Sequence, residues 1–164
     1  EALYSISYAI RMSSKKGIDI PGFFEYTVYP LEGFWDLTEI GRKSNFLLKD
    51  ELIYTIMIKQ PSFVTKDIFE TMLNIVKKTK DNPYFEKLYF KTINEGLSTQ
   101  MLHIGSYDEE QKTFEIMKEY LKSTNYEIKS LVHKEIYLSD PRKTEPSKLN
   151  TILRYHIKEK VMDK

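Results

Sequence analysis

LSTQMLHIGSYDEEQKTFEIMKEYLK (residues 97–122), LVHKEIYLS (131–139) and TILRYHI (151–157) decide how this chain of 164 residues folds. Residues 97–106 read as a strand. Ser106-Tyr107-Asp108-Glu109 fits the S-x-x-E capping box, in which two side chains satisfy orphan amide donors at a helix start. The helix it opens runs to about Lys122, with Phe114, Met117 and Leu121 on one face. The stretches 131–139 and 151–157 are apolar and β-branched enough for strands, and Asp140–Glu145 between them is a polar turn with a proline. The order is strand, helix, strand, strand.

Working outward, KLYFKT (87–92) and the Asn94-Glu95-Gly96 turn make a hairpin with 97–106. Thr65–Thr79 is an amphipathic helix with Thr65 as N-cap, Asp67 in its first turn and Lys77-Lys78 in its last. ELIYTIMIK (51–59) is the clearest strand. FFEYTVY (23–29) alternates and is rich in aromatic and β-branched residues, so it also reads as a strand, ended by Pro30. Glu32-Gly33 then turns into Phe34-Trp35, and the polar stretch 36–50 reads as a loop. Glu1–Met12 spaces Leu3, Ile6 and Ile10 as a helix, and Gly17 closes its end in a left-handed conformation.

Helix–strand–strand at 1–59 and strand–helix–strand–strand at 97–157 therefore read as two copies of one unit, the first without its leading strand. The expected fold is one α+β domain, with pseudo-repeat halves of about 1–80 and 81–164. Its antiparallel sheet carries helices on one face, and a central ligand groove runs between the halves. The chain opens on Glu1 in what reads as mid-helix, so an upstream segment is expected to be missing.

Composition removes several functions. Lys and Arg number 25 against 24 Asp and Glu, and a net charge of +1 supplies no basic field for nucleic acid. Zero cysteines exclude disulfides, thiolate nucleophiles and thiolate metal sites, and fit a reducing, cytoplasmic interior. Apolar runs fall far short of the ~20 residues that cross a bilayer. Three histidines without paired spacing give no metal set, and the glycines form no nucleotide cradle, so no cofactor is expected. Twelve Tyr and nine Phe stand out, and point to an aromatic pocket.

Alternation on 131–139 puts His133, Glu135 and Tyr137 on one face and Val132, Ile136 and Leu138 on the other, which is expected to meet the helices. A glutamate between a tyrosine and a histidine suits general acid–base work, the carboxylate taking a proton from water and the phenol donating to a developing oxyanion. The ordinary alternative is a solvated strand face. Glu25, Thr27 and Tyr29 form a parallel set on the strand 23–29. Phe34 and Trp35 follow a turn, where their rings either cap a pocket or plug the core. His103 is a further ligand-binding candidate, although a satisfied structural histidine is the ordinary reading of its position.

The strings YSISYAIRM, GFFEYTVYPLEGFWDL, DELIYTIMIKQPSFV, QMLHIGSYDEE and HKEIYLSDPRKTEPSKLNTILRY resemble the GyrI-like small-molecule-binding family. More narrowly they resemble its stand-alone bacterial branch, which includes cyclopropanoid cyclopropyl hydrolases. The resemblance spans essentially the whole chain and implies a duplicated strand-helix-strand-strand module with a groove between its halves. It also implies that Glu135 is the residue on which recognition or hydrolysis turns. Aromatic groove residues would be Tyr29, Trp35, Tyr137, Phe34, Tyr54 and Tyr107. The implied partners are flat aromatic, often cationic, small molecules, some detoxified by opening of a strained cyclopropane. In that reading Glu135 is general base, and Tyr137 or Tyr29 hydrogen-bonds the oxygen that becomes a phenolate. The rival is a non-catalytic drug-binding protein, an effector sensor or sequestering domain, whose Glu135 pairs with cations.

Overall fold

Pro30 cannot donate to a β ladder, and the sheet begins immediately after it. The computed structural model describes residues 1–44 and 48–161. Its helices are α1 (Ala2–Arg11), α2 (Glu39–Lys43), α3 (Lys66–Lys77) and α4 (Glu110–Lys122). Its strands are β1 (Leu31–Leu37), β2 (Leu52–Ile58), β3 (Ser98–Ile104), β4 (Tyr126–Tyr137) and β5 (Asn150–Glu159). The fold is α+β, with one five-stranded antiparallel sheet in the order β2-β1-β4-β5-β3.

The chain divides into two compact units, Glu1–Pro30 with Met57–Ile93, and Leu31–Ile56 with Asn94–Lys164. In the first, α1 buries Ala2, Ile6 and Ile10, and α3 buries Phe69, Met72, Leu73 and Val76 in one cluster with Ile20, Val64 and Phe85. The Thr65 hydroxyl accepts from the Ile68 amide and caps α3 as expected. Gly17 adopts φ 71°, the left-handed conformation glycine tolerates.

Residues 23–29 are not a strand. Their rings pack on one another and on Phe63: centroids lie 5.4 Å apart for Phe23–Phe63, 5.2 Å for Phe24–Phe63 and 6.0 Å for Tyr26–Phe63. Tyr26 also stacks on Tyr29 at 6.2 Å, which strict alternation would forbid. Nor do residues 87–92 form a hairpin with 97–106. Leu88 and Phe90 pack against the first unit's core, and β3 pairs with β5 instead, from Ser98↔His156 to Ile104↔Asn150. The expected loop at 36–50 contains α2, whose first amides are capped by Thr38 through Gly41 N–H; residues 45–47 of that loop lie outside the described residues.

In the second unit β4 pairs with β1 and β5, and a bulge decides which face meets the helix. Between Ile128↔Ile157 and His133↔Tyr155, β4 spends five residues where β5 spends two. An odd excess reverses the alternation and brings Ile128 and His133 to the same face. Ile128 packs on the cluster of Phe114, Met117, Leu153 and Tyr155, and the His133 ring meets Phe114 at 4.7 Å. Helix α4 therefore lies on the face of His133 and Glu135, not on that of Val132, Ile136 and Leu138. Ile136 is buried on the opposite face, but Leu138 is exposed. That opposite face carries charge: buried Lys134 pairs with Glu32 and Glu95, and Arg154 pairs with Glu95 at 2.6 Å.

Candidate functional site

The register of β1 on β4 sets Gly33 opposite Glu135 and Trp35 opposite His133, all on the face that α4 covers. Gly33 lies inside β1, where a turn was expected. A Cβ there would stand 2.8 Å from Trp35 Nε1 and 3.0 Å from Ile56 Cδ1, so a side chain would displace the indole. With glycine, the indole N–H donates to the Tyr137 hydroxyl oxygen at 2.8 Å, and that hydroxyl donates to Glu135 Oε2 at 2.6 Å. His133 Nε2 lies 2.9 Å from Glu135 Oε1, and a bond to a carboxylate requires the proton on that nitrogen. Glu135 is 7% exposed, and its two oxygens are engaged by an imidazole and a phenol rather than by a lysine or arginine.

Further rings join this cluster through Trp35 and Tyr137. Trp35 and Tyr54 lie 5.0 Å apart, and Tyr107 meets Tyr137 edge-on at 5.9 Å and 81°. Burial, then the charge of Glu135 and its hydrogen bond, push the Tyr137 phenol well above the ordinary range. Tyr107 is also raised, by burial first and then by Glu110, Glu135 and Asp140. Both phenols hold their protons across the physiological range, and that of Tyr137 donates to Glu135.

Glu110, the first residue of α4, completes the cluster. It is 8% exposed, its Oε1 has no N–H or O–H donor, and its carboxyl hydrogen-bonds Glu135. Two carboxyl groups hydrogen-bond only when one is protonated. Burial first, and then the Glu135 charge, raise the Glu110 pKa to about 8. Near neutrality the pair therefore carries one proton and one negative charge. Sequence reading missed Glu110, because the capping motif drew attention to Glu109. In fact the Ser106 side chain makes no cap bond, a single turn of tighter helix spans Tyr107–Glu109, and Glu109 pairs with Lys112 outside. A second acidic residue directly after Glu109 was the available signal.

Trp35, Tyr54, Tyr107, Glu135 and Tyr137 thus share one cluster with His133 and Glu110. Phe34 is on the opposite face of β1, 5.4 Å from the Lys134 ammonium and 5.8 Å from the His156 ring. Tyr29 and Glu25 belong to the first unit, Tyr29 beside Tyr26 and the Lys59 ammonium, Glu25 exposed 3.9 Å from Arg11. His103 is buried with both nitrogens used: Nε2 donates to the Ser106 carbonyl and Nδ1 accepts from the Thr113 hydroxyl, each at 2.9 Å. It ties β3 to the segment bearing Tyr107 and Glu110. A depression of about 440 Å³ in the first unit is lined by Ser14 and residues 17–23, and none of the cluster's residues lines it. Among the described residues no group of His, Asp and Glu is arranged to hold a metal, and no helix is long and apolar enough to cross a membrane.

The model of the GyrI-like small molecule binding domain matches residues 22–156. The chain belongs to this family. A GyrI-like domain binds small molecules, and every residue of the cluster falls within the matched residues. Among solved structures, a Listeria innocua protein described as a hydrolase is 32% identical, with a TM-score of 0.86 over 96% of this chain and 77% of that one. Another described as a hydrolase of the same organism is 31% identical, with a TM-score of 0.84 over 96% and 76%. An uncharacterized conserved protein of Listeria innocua is 33% identical, with a TM-score of 0.81 over 96% and 77%. No curated protein matches the chain.

Proposed function

We propose that this GyrI-like domain captures flat aromatic compounds against Trp35, Tyr54 and Tyr107, and adds water to a strained cyclopropane in those that carry one. The observation that carries the reading is Glu135: a buried carboxylate, oriented at both oxygens, with no lysine or arginine among its hydrogen-bond partners. Such a group is held in place without being neutralised, as a general base requires. The description of two similar Listeria proteins as hydrolases supports the same direction.

In a spirocyclopropyl dienone, water attacks the cyclopropane methylene carbon as a carbon–carbon bond breaks. The bonding pair flows through the ring to the carbonyl oxygen, which becomes a phenolate. Glu135 takes the water proton, and the proton returns to the phenolate through solvent, so one water is added in all. Ring strain and the aromaticity gained drive the step. The protein supplies position and one proton transfer, worth about 10²–10⁴-fold. The Tyr137 proton is committed to Glu135, so Tyr137 acts by holding the base rather than by donating to the oxyanion.

The test is incubation with a duocarmycin-type cyclopropane alkylator and mass spectrometry of the product. The expected product carries one added water, and Glu135→Gln abolishes its formation while binding stays within a few-fold. Turnover by that variant at the parent rate overturns the mechanism. Stoichiometric binding without product would assign the domain to the sensor or sequestering class instead.

A further inference from the structure

The buried pair needs charge compensation, and among the described residues no lysine or arginine forms an ion pair with either carboxyl. Glu110 Oε1 is enclosed without a donor, Glu135 is met by a phenol and an imidazole, and the Tyr107, Trp35 and Tyr54 rings belong to the same cluster. A proton shared between the two carboxyls is one way to reduce the charge to a single unit. A cation lying over the ring faces would be another, drawn by both carboxylates and by the aromatic quadrupoles. Both occupy the same electrostatic place, so one should exclude the other.

We infer that Glu110 and Glu135 hold one exchangeable proton, and that a cationic aromatic guest displaces it, so that cation binding releases a proton while binding of a neutral guest of the same shape does not. The inference rests on the reading that this cluster is the binding site. Glu110 is pushed up to about 8, so the proton is present to be released near neutrality. The groups facing it are Glu135 and Tyr137 from β4, with His133 behind Glu135, and Tyr107 and Asp108 from the turn before α4. The phenols stay protonated throughout, and Asp108 is exposed. His133, the imidazole bonded to Glu135, is therefore the residue whose replacement serves as the control.

The experiment is calorimetric titration of the intact chain with the N-methylacridinium cation and with neutral N-methylacridone. Titrations run near pH 6.5 in two buffers of different protonation enthalpy, which counts protons released. The expected result is close to one proton released per cation and none per acridone. Cation affinity should rise about tenfold per pH unit up to the titration of the pair and flatten beyond it. Glu110→Gln should remove both the release and the pH slope, while His133→Gln should keep them. The parent count stands even if the Glu110 variant fails to fold. Saturable cation binding without proton release overturns the exchange, as does a release that survives Glu110→Gln and vanishes in His133→Gln. If neither probe binds saturably, or if Trp35→Ala leaves binding unchanged, the site reading itself fails.

Discussion

At the scale of single residues, Gly33 has the largest consequence for the least mass. Across the sheet from Glu135, it leaves room for the indole that steadies Tyr137 and so the carboxylate. Gly33→Ala places a methyl group 2.8 Å from Trp35 Nε1, and overpacking of this kind costs roughly 1–3 kcal/mol. The expected outcome is a lower denaturation midpoint with a changed emission from Trp35, the chain's single tryptophan, read in one urea titration. An unchanged emission would show that the indole does not depend on that space. Trp35 and Tyr137 were legible as a pair of candidate rings, and His133, Glu135 and Tyr137 as one face, because alternation is local. Gly33 was not: nothing in its neighbours distinguishes a turn glycine from one that yields to a tryptophan two residues on. Glu110 was hidden for a similar reason, since burial of a glutamate at a helix start is set by what packs above it.

At the scale of elements, α1, α3, α4, β2, β3, β4 and β5 were legible from periodicity and end signals, Thr65 capping α3 being the clearest. Residues 23–29 and 87–92 misled because aromatic and β-branched composition reports burial as much as strand geometry. Both stretches bury rings or aliphatic side chains in the first unit's packing without entering a ladder. The bulge in β4 was illegible, since it is defined only by the partner strand, and it reversed the face expected to meet α4. His103 belongs at this scale, as the link between β3 and the start of α4. His103→Ala leaves the Thr113 hydroxyl and Ser106 carbonyl without their partner, at a cost of about 1–3 kcal/mol. It should also loosen Tyr107 and weaken ligand binding, measurable as a rise in Kd for the acridinium cation. If His103 were instead a ligand contact only, the variant would bind more weakly but unfold at the parent midpoint.

At the scale of the molecule, two buried charge clusters on opposite faces of one sheet pull stability in opposite directions as pH changes. On the face bearing Lys134, burial raises Glu95, but hydrogen bonds and charges from Lys134 and Arg154 outweigh it and hold its pKa below the ordinary value of 4.5. A lowered folded-state pKa means stability that is present above the unfolded value and is lost as pH falls through the folded one. On the other face Glu110 is raised from 4.5 to about 8. Its contribution is complete below 4.5 and is lost as pH rises towards and through 8, because the folded state binds the proton that the unfolded chain has released. Unfolding followed by Trp35 emission should therefore show stability falling on both sides of a mildly acidic maximum. Glu110→Gln, which keeps the hydrogen-bond donor and removes the titration, should flatten the fall between about 4.5 and about 8 and leave the acid limb in place. Glu95→Gln should do the reverse, weakening the acid limb and destabilising the sheet at neutral pH by stripping a charged partner from Lys134 and Arg154. A Glu110→Gln profile that still declines with the parent slope over that window would mean the pair does not hold its proton. A cationic guest would then find no proton at Glu110 to displace.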